Sequence, residues 1–127
     1  MKPTYLVSLV WIVLAACGSE DPLCEPGSSN CVCGAGDTCA VDCPAGTDCN
    51  IQAQSGSTVD VDCGGSTTCD VECTAATSCE VDCNSVDCDV TCPASGCTVT
   101  NCLAGSCDVT CGLTGIATRE GNTATCP

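Results

Sequence analysis

The chain has 127 residues, with 2 basic and 16 acidic side chains, no histidine and 19 cysteines. A net charge of −14 excludes the basic surfaces that hold nucleic acid, and the lack of histidine excludes nucleophiles that need a histidine base. There is no phenylalanine and only one tryptophan and one tyrosine, so little aromatic surface can be buried. We therefore expect one small non-enzymatic domain, without a cofactor, that depends on covalent cross-links.

The N-terminal segment has the layout of an export signal. Lys2 precedes an apolar run from Tyr5 to Ala16, which is shorter than the roughly 20 residues of a spanning helix. The run ends at Cys17 in the sequence LAAC, which resembles the lipobox of bacterial lipoproteins. The resemblance implies a signal peptide over 1–16, cleavage between Ala16 and Cys17, lipid on the Cys17 thiol, and acylation of the new amino terminus, for example with palmitate.

The same resemblance implies that the first partner of this chain is a membrane, held through the lipid anchor. Gly18 follows the cysteine, and in this family a residue other than aspartate there favours the outer membrane, facing the periplasm or the cell surface. An ordinary signal peptide without lipid on Cys17 is the alternative. Without Lys2, one basic and 16 acidic side chains remain, a charge of −15 that attracts cations and repels nucleic acid. No protein partner is indicated.

Residues 17–38 follow, and their Pro, Gly and Ser content predicts a lipidated cysteine on a flexible tether. From Cys39, in residues 39–116, eight near-copies of ten residues read Cys-Asp-Val-Asp/Thr-Cys plus five small turn-forming residues. Cysteine and valine alternate with acidic residues or threonine at period two, which predicts a short half-buried strand in each copy. Residues 117–127 are expected to form a C-terminal cap.

Strand–turn repeats of this kind predict an all-β, disulfide-stapled β-solenoid, with one or two copies in each coil. The arrangement is similar to small cysteine-rich β-solenoids, including the insect antifreeze type, although repeat length and sequence differ. An antiparallel disulfide-linked meander, with a hairpin at each turn, is the alternative fold.

Two missing cysteines indicate how the others pair. Ala53 and Val59 stand at cysteine positions of the repeat and face the same loop, as pairing across loops predicts. Pairing within a strand would join residues about 13 Å apart, whereas disulfide Cα atoms lie within about 7 Å. The predicted loop pairs are Cys33–Cys39, Cys43–Cys49, Cys63–Cys69, Cys73–Cys79, Cys83–Cys88, Cys92–Cys97 and Cys102–Cys107. The remaining cysteines give Cys24–Cys31 and Cys111–Cys126.

Acidic side chains recur on the outward face of the predicted strands. If the copies stack, like charges lie about 4.8 Å apart, a spacing that cations such as Ca²⁺ relieve. A solvated face with diffuse counterions is the alternative, and thiolate metal binding, as in a metallothionein, is the alternative for the cysteines. The acidic residues are Asp60, Asp62, Asp70, Glu72, Glu80, Asp82 and Asp89.

We expect a structural or adhesive envelope lipoprotein, or alternatively a metal-binding module, with no catalytic residue.

Overall fold

The computed structural model describes residues 23–25, 27–85 and 87–127. In these residues the chain forms twelve β-strands and no helix, so none of the described segments is a helix able to span a membrane. The strands are β1 Asn30–Cys33, β2 Thr38–Asp42, β3 Asp48–Ala53, β4 Thr58–Asp62, β5 Thr68–Glu72, β6 Ser78–Asp82, β7 Cys88–Cys92, β8 Cys97–Thr100, β9 Cys107–Cys111, β10 Gly115–Ile116, β11 Thr118–Glu120 and β12 Thr123–Cys126.

The strands form a β-solenoid of about four turns, which confirms the fold expected from the repeat. Sheet A has the order β1-β3-β5-β7-β9-β10, and sheet B has the order β2-β4-β6-β8-β12-β11. Strands therefore alternate between the sheets, and each coil uses two copies of the repeat. Partners in the first coils pair in parallel 20 residues apart, as Thr38 does with Thr58. The antiparallel meander is wrong for the repeats because their hydrogen bonds join alternate strands.

Two ladders of aliphatic side chains fill the space between the sheets. Side chains alternate inward and outward along each strand, and parallel register sets each inward valine on the equivalent side chain of the next coil. The members exposed by 2% or less are Ile51, Val71 and Val90 in sheet A and Val41, Val61, Val81 and Val99 in sheet B. Because no side chain in these ladders is larger than isoleucine, two short strands can enclose them.

The solenoid begins before the first regular repeat. β1 pairs in parallel with β3 and aligns Cys33 with Ala53, and Leu23 forms a bridge with Val32. Residues 30–38 thus form the first half-coil, although their composition suggests a tether. The hydrogen bonds of the β3 edge hold this segment, and the spacing of its cysteines is the one local sign that it continues the repeat.

At the C-terminal end, the chain reverses direction. β12 pairs antiparallel with β8, β11 pairs with β12, and β10 pairs with β9. Ala124 of β12 is aligned with Val99 and is fully buried, so this strand extends the sheet B ladder by one layer. The antiparallel strands end the parallel stacking of the described coils.

One corner loop buries a hydroxyl without a partner. Ser66 and Ala76 occupy equivalent loop positions, and each donates its backbone N–H to the carbonyl of the cysteine three residues earlier. The Ser66 Oγ atom is fully buried and has no hydrogen-bond partner among the described residues. An unpaired buried hydroxyl destabilises the folded state, because it loses its hydrogen bonds to water.

We predict that Ser66→Ala raises the free energy of unfolding by about 1 kcal/mol, since it removes this unpaired group. Ser57→Ala is the matched control. The Ser57 hydroxyl is equally buried but donates to the carbonyl of Gln54 at 2.7 Å, so its loss should lower stability by a similar amount. Denaturant titration of both variants measures the two effects. A destabilised Ser66→Ala variant would contradict the prediction.

Candidate functional site: disulfide columns and acidic faces

Nine disulfides cross-link the described residues: the seven loop pairs predicted from the repeat and the two pairs assigned to the remaining cysteines. Their Cα–Cα distances run from 4.8 to 6.3 Å, within the ordinary range for disulfides. The pairs are Cys24–Cys31, Cys33–Cys39, Cys43–Cys49, Cys63–Cys69, Cys73–Cys79, Cys83–Cys88, Cys92–Cys97, Cys102–Cys107 and Cys111–Cys126. Each of the 18 cysteines that follow Cys17 is thereby oxidised.

Eight of these disulfides stack in two columns, because the coil repeat places equivalent loops at the same edge of the solenoid. The four-disulfide column joins sheet B strands to the sheet A strands that follow, and contains Cys43–Cys49, Cys63–Cys69, Cys83–Cys88 and Cys102–Cys107. The interrupted column lies at the opposite edge and contains Cys33–Cys39, Cys73–Cys79, Cys92–Cys97 and Cys111–Cys126. Its gap is the loop from Ala53 to Val59, which separates the first two of these disulfides.

Each disulfide of a column is called a rung here, and neighbouring rungs of the four-disulfide column are close together. The column contains three successive groups of three sulfur atoms, and the atoms of each group lie within 4.8 Å of one another. The groups are Cys43, Cys49 and Cys69; Cys63, Cys69 and Cys88; and Cys83, Cys88 and Cys107. The Sγ atoms of Cys83 and Cys107 are 3.6 Å apart. These groups have the spacing of metal ligands, but every sulfur in them belongs to a disulfide and offers no thiolate.

Arg119 covers the C-terminal end of this column. Its Nη1 atom donates to the carbonyl of Cys102 at 3.2 Å and lies 3.3 Å from the Cys102 Sγ, and Nη2 donates to the carbonyl of Cys107. In the sequence, Arg119 is notable only as the one basic side chain that remains when Lys2 is removed with the predicted signal peptide. A lone arginine in a strongly acidic chain is a signal for a specific contact, but the sequence does not show which groups it meets.

The outward acidic residues divide into two faces because successive repeats lie in different sheets. On sheet A, Asp70, Asp89 and Asp108 are aligned in register. On sheet B, Asp60 is aligned with Glu80. The carboxylates of successive repeats therefore do not form one ladder, and aligned acidic residues are 19 or 20 positions apart in sequence rather than 10.

A second row of acidic residues takes part in the corner turns. Asp62 accepts a hydrogen bond from the backbone N–H of Gly64 at 2.9 Å, and Asp82 accepts one from Asn84 at 3.3 Å. Glu72 makes the same contact two residues ahead, at 3.0 Å. An acidic residue two positions before a turn N–H is a recognisable turn signal in the sequence, and it gives Asp62, Glu72 and Asp82 a role in the turns whether or not cations bind the acidic faces.

The electrostatic environment differs along sheet A. Partial burial, and then the charges of Asp70 and Asp108, raise the pKa of Asp89 above its ordinary value. The pKa of Asp48 is lowered, because the hydroxyls of Thr67 and Thr68 in the next coil donate to it at 2.7 and 3.1 Å. Asp48, Asp70, Asp89 and Asp108 line one open groove on this face, together with Asp87.

We predict that Asp89→Asn raises the free energy of unfolding at pH 7 by less than about 1 kcal/mol, since exposed charges are screened. A carboxyl whose pKa is raised in the folded state contributes most to the stability of the fold below its unfolded-state pKa. That stability is lost as pH rises through the folded-state pKa. The gain should therefore vanish near pH 3. Asp48→Asn is the opposite control and should lower stability at pH 7. Denaturant titrations at both pH values test this, and an unchanged or less stable Asp89→Asn variant at pH 7 would refute it.

The predicted processing positions, Ala16 and Cys17, lie outside the described residues, as does the rest of the predicted signal peptide. All the predicted disulfide cysteines and all seven singled-out acidic residues lie within them. No protein-family model, curated protein or solved structure matches this chain.

Proposed function

We propose that this chain is an exported lipoprotein, anchored through Cys17, whose solenoid is a rigid, acidic structural or adhesive element of the bacterial envelope. The oxidised state of all 18 later cysteines carries this proposal. Disulfides in such number persist in oxidising compartments and not in a reducing cytosol, so they support export. Cys17 is the one cysteine outside these nine pairs, and its place at the end of the lipobox-like sequence makes it available for lipid.

The arrangement of the solenoid supports a display role. Leu23, which contacts β1, is six residues from Cys17, and six extended residues span about 20 Å at most. A lipid on Cys17 therefore keeps the first coil close to the membrane surface, while each later coil adds about 4.8 Å. Two flat faces of acidic residues and threonine are then presented by a scaffold held by covalent bonds. Such a surface suits repeated weak contacts with an envelope component better than catalysis.

Metabolic labelling with palmitate tests the anchor. The full-length protein should carry label and partition into detergent, whereas Cys17→Ser should carry none and stay in the aqueous phase. Cys24→Ser is the matched control, because it also removes an N-terminal cysteine but should keep the label. Label on Cys17→Ser, or an unlabelled wild-type protein with a free thiol at Cys17, would overturn the proposal.

Calcium binding on sheet A is the second candidate function. The observation that favours it is the in-register stack of Asp70, Asp89 and Asp108, in which both neighbours disfavour ionisation of Asp89. Oxygen ligands of this kind suit Ca²⁺. Millimolar calcium should raise the melting temperature of the wild-type protein and of Asp60→Asn on sheet B, and have a smaller effect on Asp89→Asn. No shift in the wild-type protein would exclude this candidate.

A further inference from the structure

We propose that the four-disulfide column conducts thiol–disulfide exchange along the solenoid. In this process a thiolate at one rung displaces a sulfur of the next rung, so that a free thiol moves from coil to coil while the backbone stays folded. The column has the two features that exchange requires: sulfur atoms of adjacent rungs within 4.8 Å, and strands that hold them in register.

The register places the first pair of reacting cysteines in position for a new bond. Cys49 of β3 is aligned with Cys69 of β5. Parallel neighbours lie about 4.8 Å apart, and disulfide Cα atoms are usually 4.4 to 6.8 Å apart. A bond between Cys49 and Cys69 can therefore form on the existing backbone.

The exchange step conserves atoms and electrons. The Cys49 thiolate attacks the Sγ of Cys69, the Cys63–Cys69 bond breaks, and its electron pair leaves on Cys63. One disulfide replaces another, so there is no net oxidation, and the proton that Cys49 releases is balanced by the one that Cys63 can take up. In the wild-type protein an external thiol starts the sequence by forming a mixed disulfide with Cys43, which frees Cys49.

The same contact continues along the column. Cys63, once freed, lies within 4.8 Å of Cys88, whose bond to Cys83 is then displaced. Cys83 is 3.6 Å from Cys107, and attack there releases Cys102. The first step joins two aligned cysteines of sheet A, whereas each later step joins the cysteine that follows a sheet B strand to the sheet A cysteine of the next coil.

Arg119 should favour the free thiol at Cys102, the C-terminal end of the four-disulfide column. Its Nη1 atom lies 3.3 Å from the Cys102 Sγ, and a guanidinium in contact with a sulfur stabilises the thiolate. The free thiol should therefore accumulate at Cys102. Arg119→Gln should reduce the share of thiol at Cys102 and leave the first step unchanged.

The interrupted column supplies a matched control. Cys39 lies on β2 and is aligned with Val59 of the next coil, so a thiol freed at Cys39 has no disulfide in the next rung of its column. Cys39 and Cys49 are comparable in other respects, because each is a buried strand cysteine in the first disulfide of its column.

The test uses two full-length variants in a Cys17→Ser background, so that each leaves one free thiol whether or not Cys17 carries lipid. Cys43→Ser frees Cys49, and Cys33→Ser frees Cys39. After oxidative folding, each variant is incubated near pH 8.5, where about half of ordinary cysteine is thiolate. It is then quenched in acid, denatured and alkylated, and peptide mapping locates the label. In Cys43→Ser the label should leave Cys49 and appear on Cys63, Cys83 and Cys102, whereas in Cys33→Ser it should stay on Cys39.

Two results would overturn the proposal. Label confined to Cys49, in a Cys43→Ser variant with the circular dichroism of the wild-type protein, would show that contact between rungs does not lead to exchange. Label scattered over many cysteines in both variants would show exchange through unfolding. If Cys43→Ser does not fold, Cys63→Ser replaces it: the freed Cys69 should transfer its thiol to Cys83 or Cys43, and label that stays on Cys69 would overturn the proposal equally.

Discussion

Complete reduction and alkylation of the 18 cysteines that follow Cys17 should unfold the solenoid. The described interior holds valine, isoleucine, alanine and cysteine without an aromatic side chain, so burial of apolar surface contributes little. Each short loop closed by a disulfide contributes about 2 kcal/mol through the entropy of the unfolded chain. Nine of them together exceed the roughly 5 to 15 kcal/mol of net stability of an ordinary domain.

Far-UV circular dichroism and proteolysis measure this effect. The reduced and alkylated protein should lose its β signal and be digested rapidly. A sample exposed to the alkylating agent without reductant should remain folded and resistant, since the 18 cysteines that follow Cys17 are all in disulfides. A reduced protein that keeps a cooperative thermal transition would show that the valine ladders are sufficient for the fold.

The double substitution Ala53→Cys with Val59→Cys should form a tenth disulfide and raise the free energy of unfolding by about 2 kcal/mol. Ala53 is aligned with Cys33, and Val59 is aligned with Cys39. The gap is thus stacked directly on the Cys33–Cys39 disulfide, whose Cα atoms are 5.9 Å apart. Both positions are buried in the same way as the cysteines above and below them.

Intact mass and thermal unfolding test this prediction. The oxidised double variant should be two hydrogen atoms lighter than a form with the nine native disulfides and two free thiols, and it should melt at a higher temperature. The two single variants, Ala53→Cys and Val59→Cys, are the controls and should show a free thiol and no gain in stability. Two free thiols in the folded double variant would contradict the assignment of this loop as a missing rung.

The sequence by itself determined the strands of the repeats and the seven loop disulfides. Alternation at period two is a local property, so Cys-x-Val-x-Cys defines a strand with one buried face wherever it packs. Pairing across loops is also local, because five or six residues bring two cysteines within reach while an extended strand separates them. The joint loss of cysteine at Ala53 and Val59 identified the loop as the unit that is cross-linked.

Only the tertiary structure decided which repeats are neighbours. Each coil contains two copies because of the angle through which each corner turns the chain and because of parallel hydrogen bonds to strands about 20 residues away. Neither the angle nor the hydrogen bonds can be read from a single ten-residue copy. This choice brings Asp89 beside Asp70 and Asp108 rather than Glu80, and it sets Cys49 against Cys69. The inclusion of residues 30–38 in the first coil and the contact of Arg119 with Cys102 depend in the same way on long-range packing, which local composition does not record.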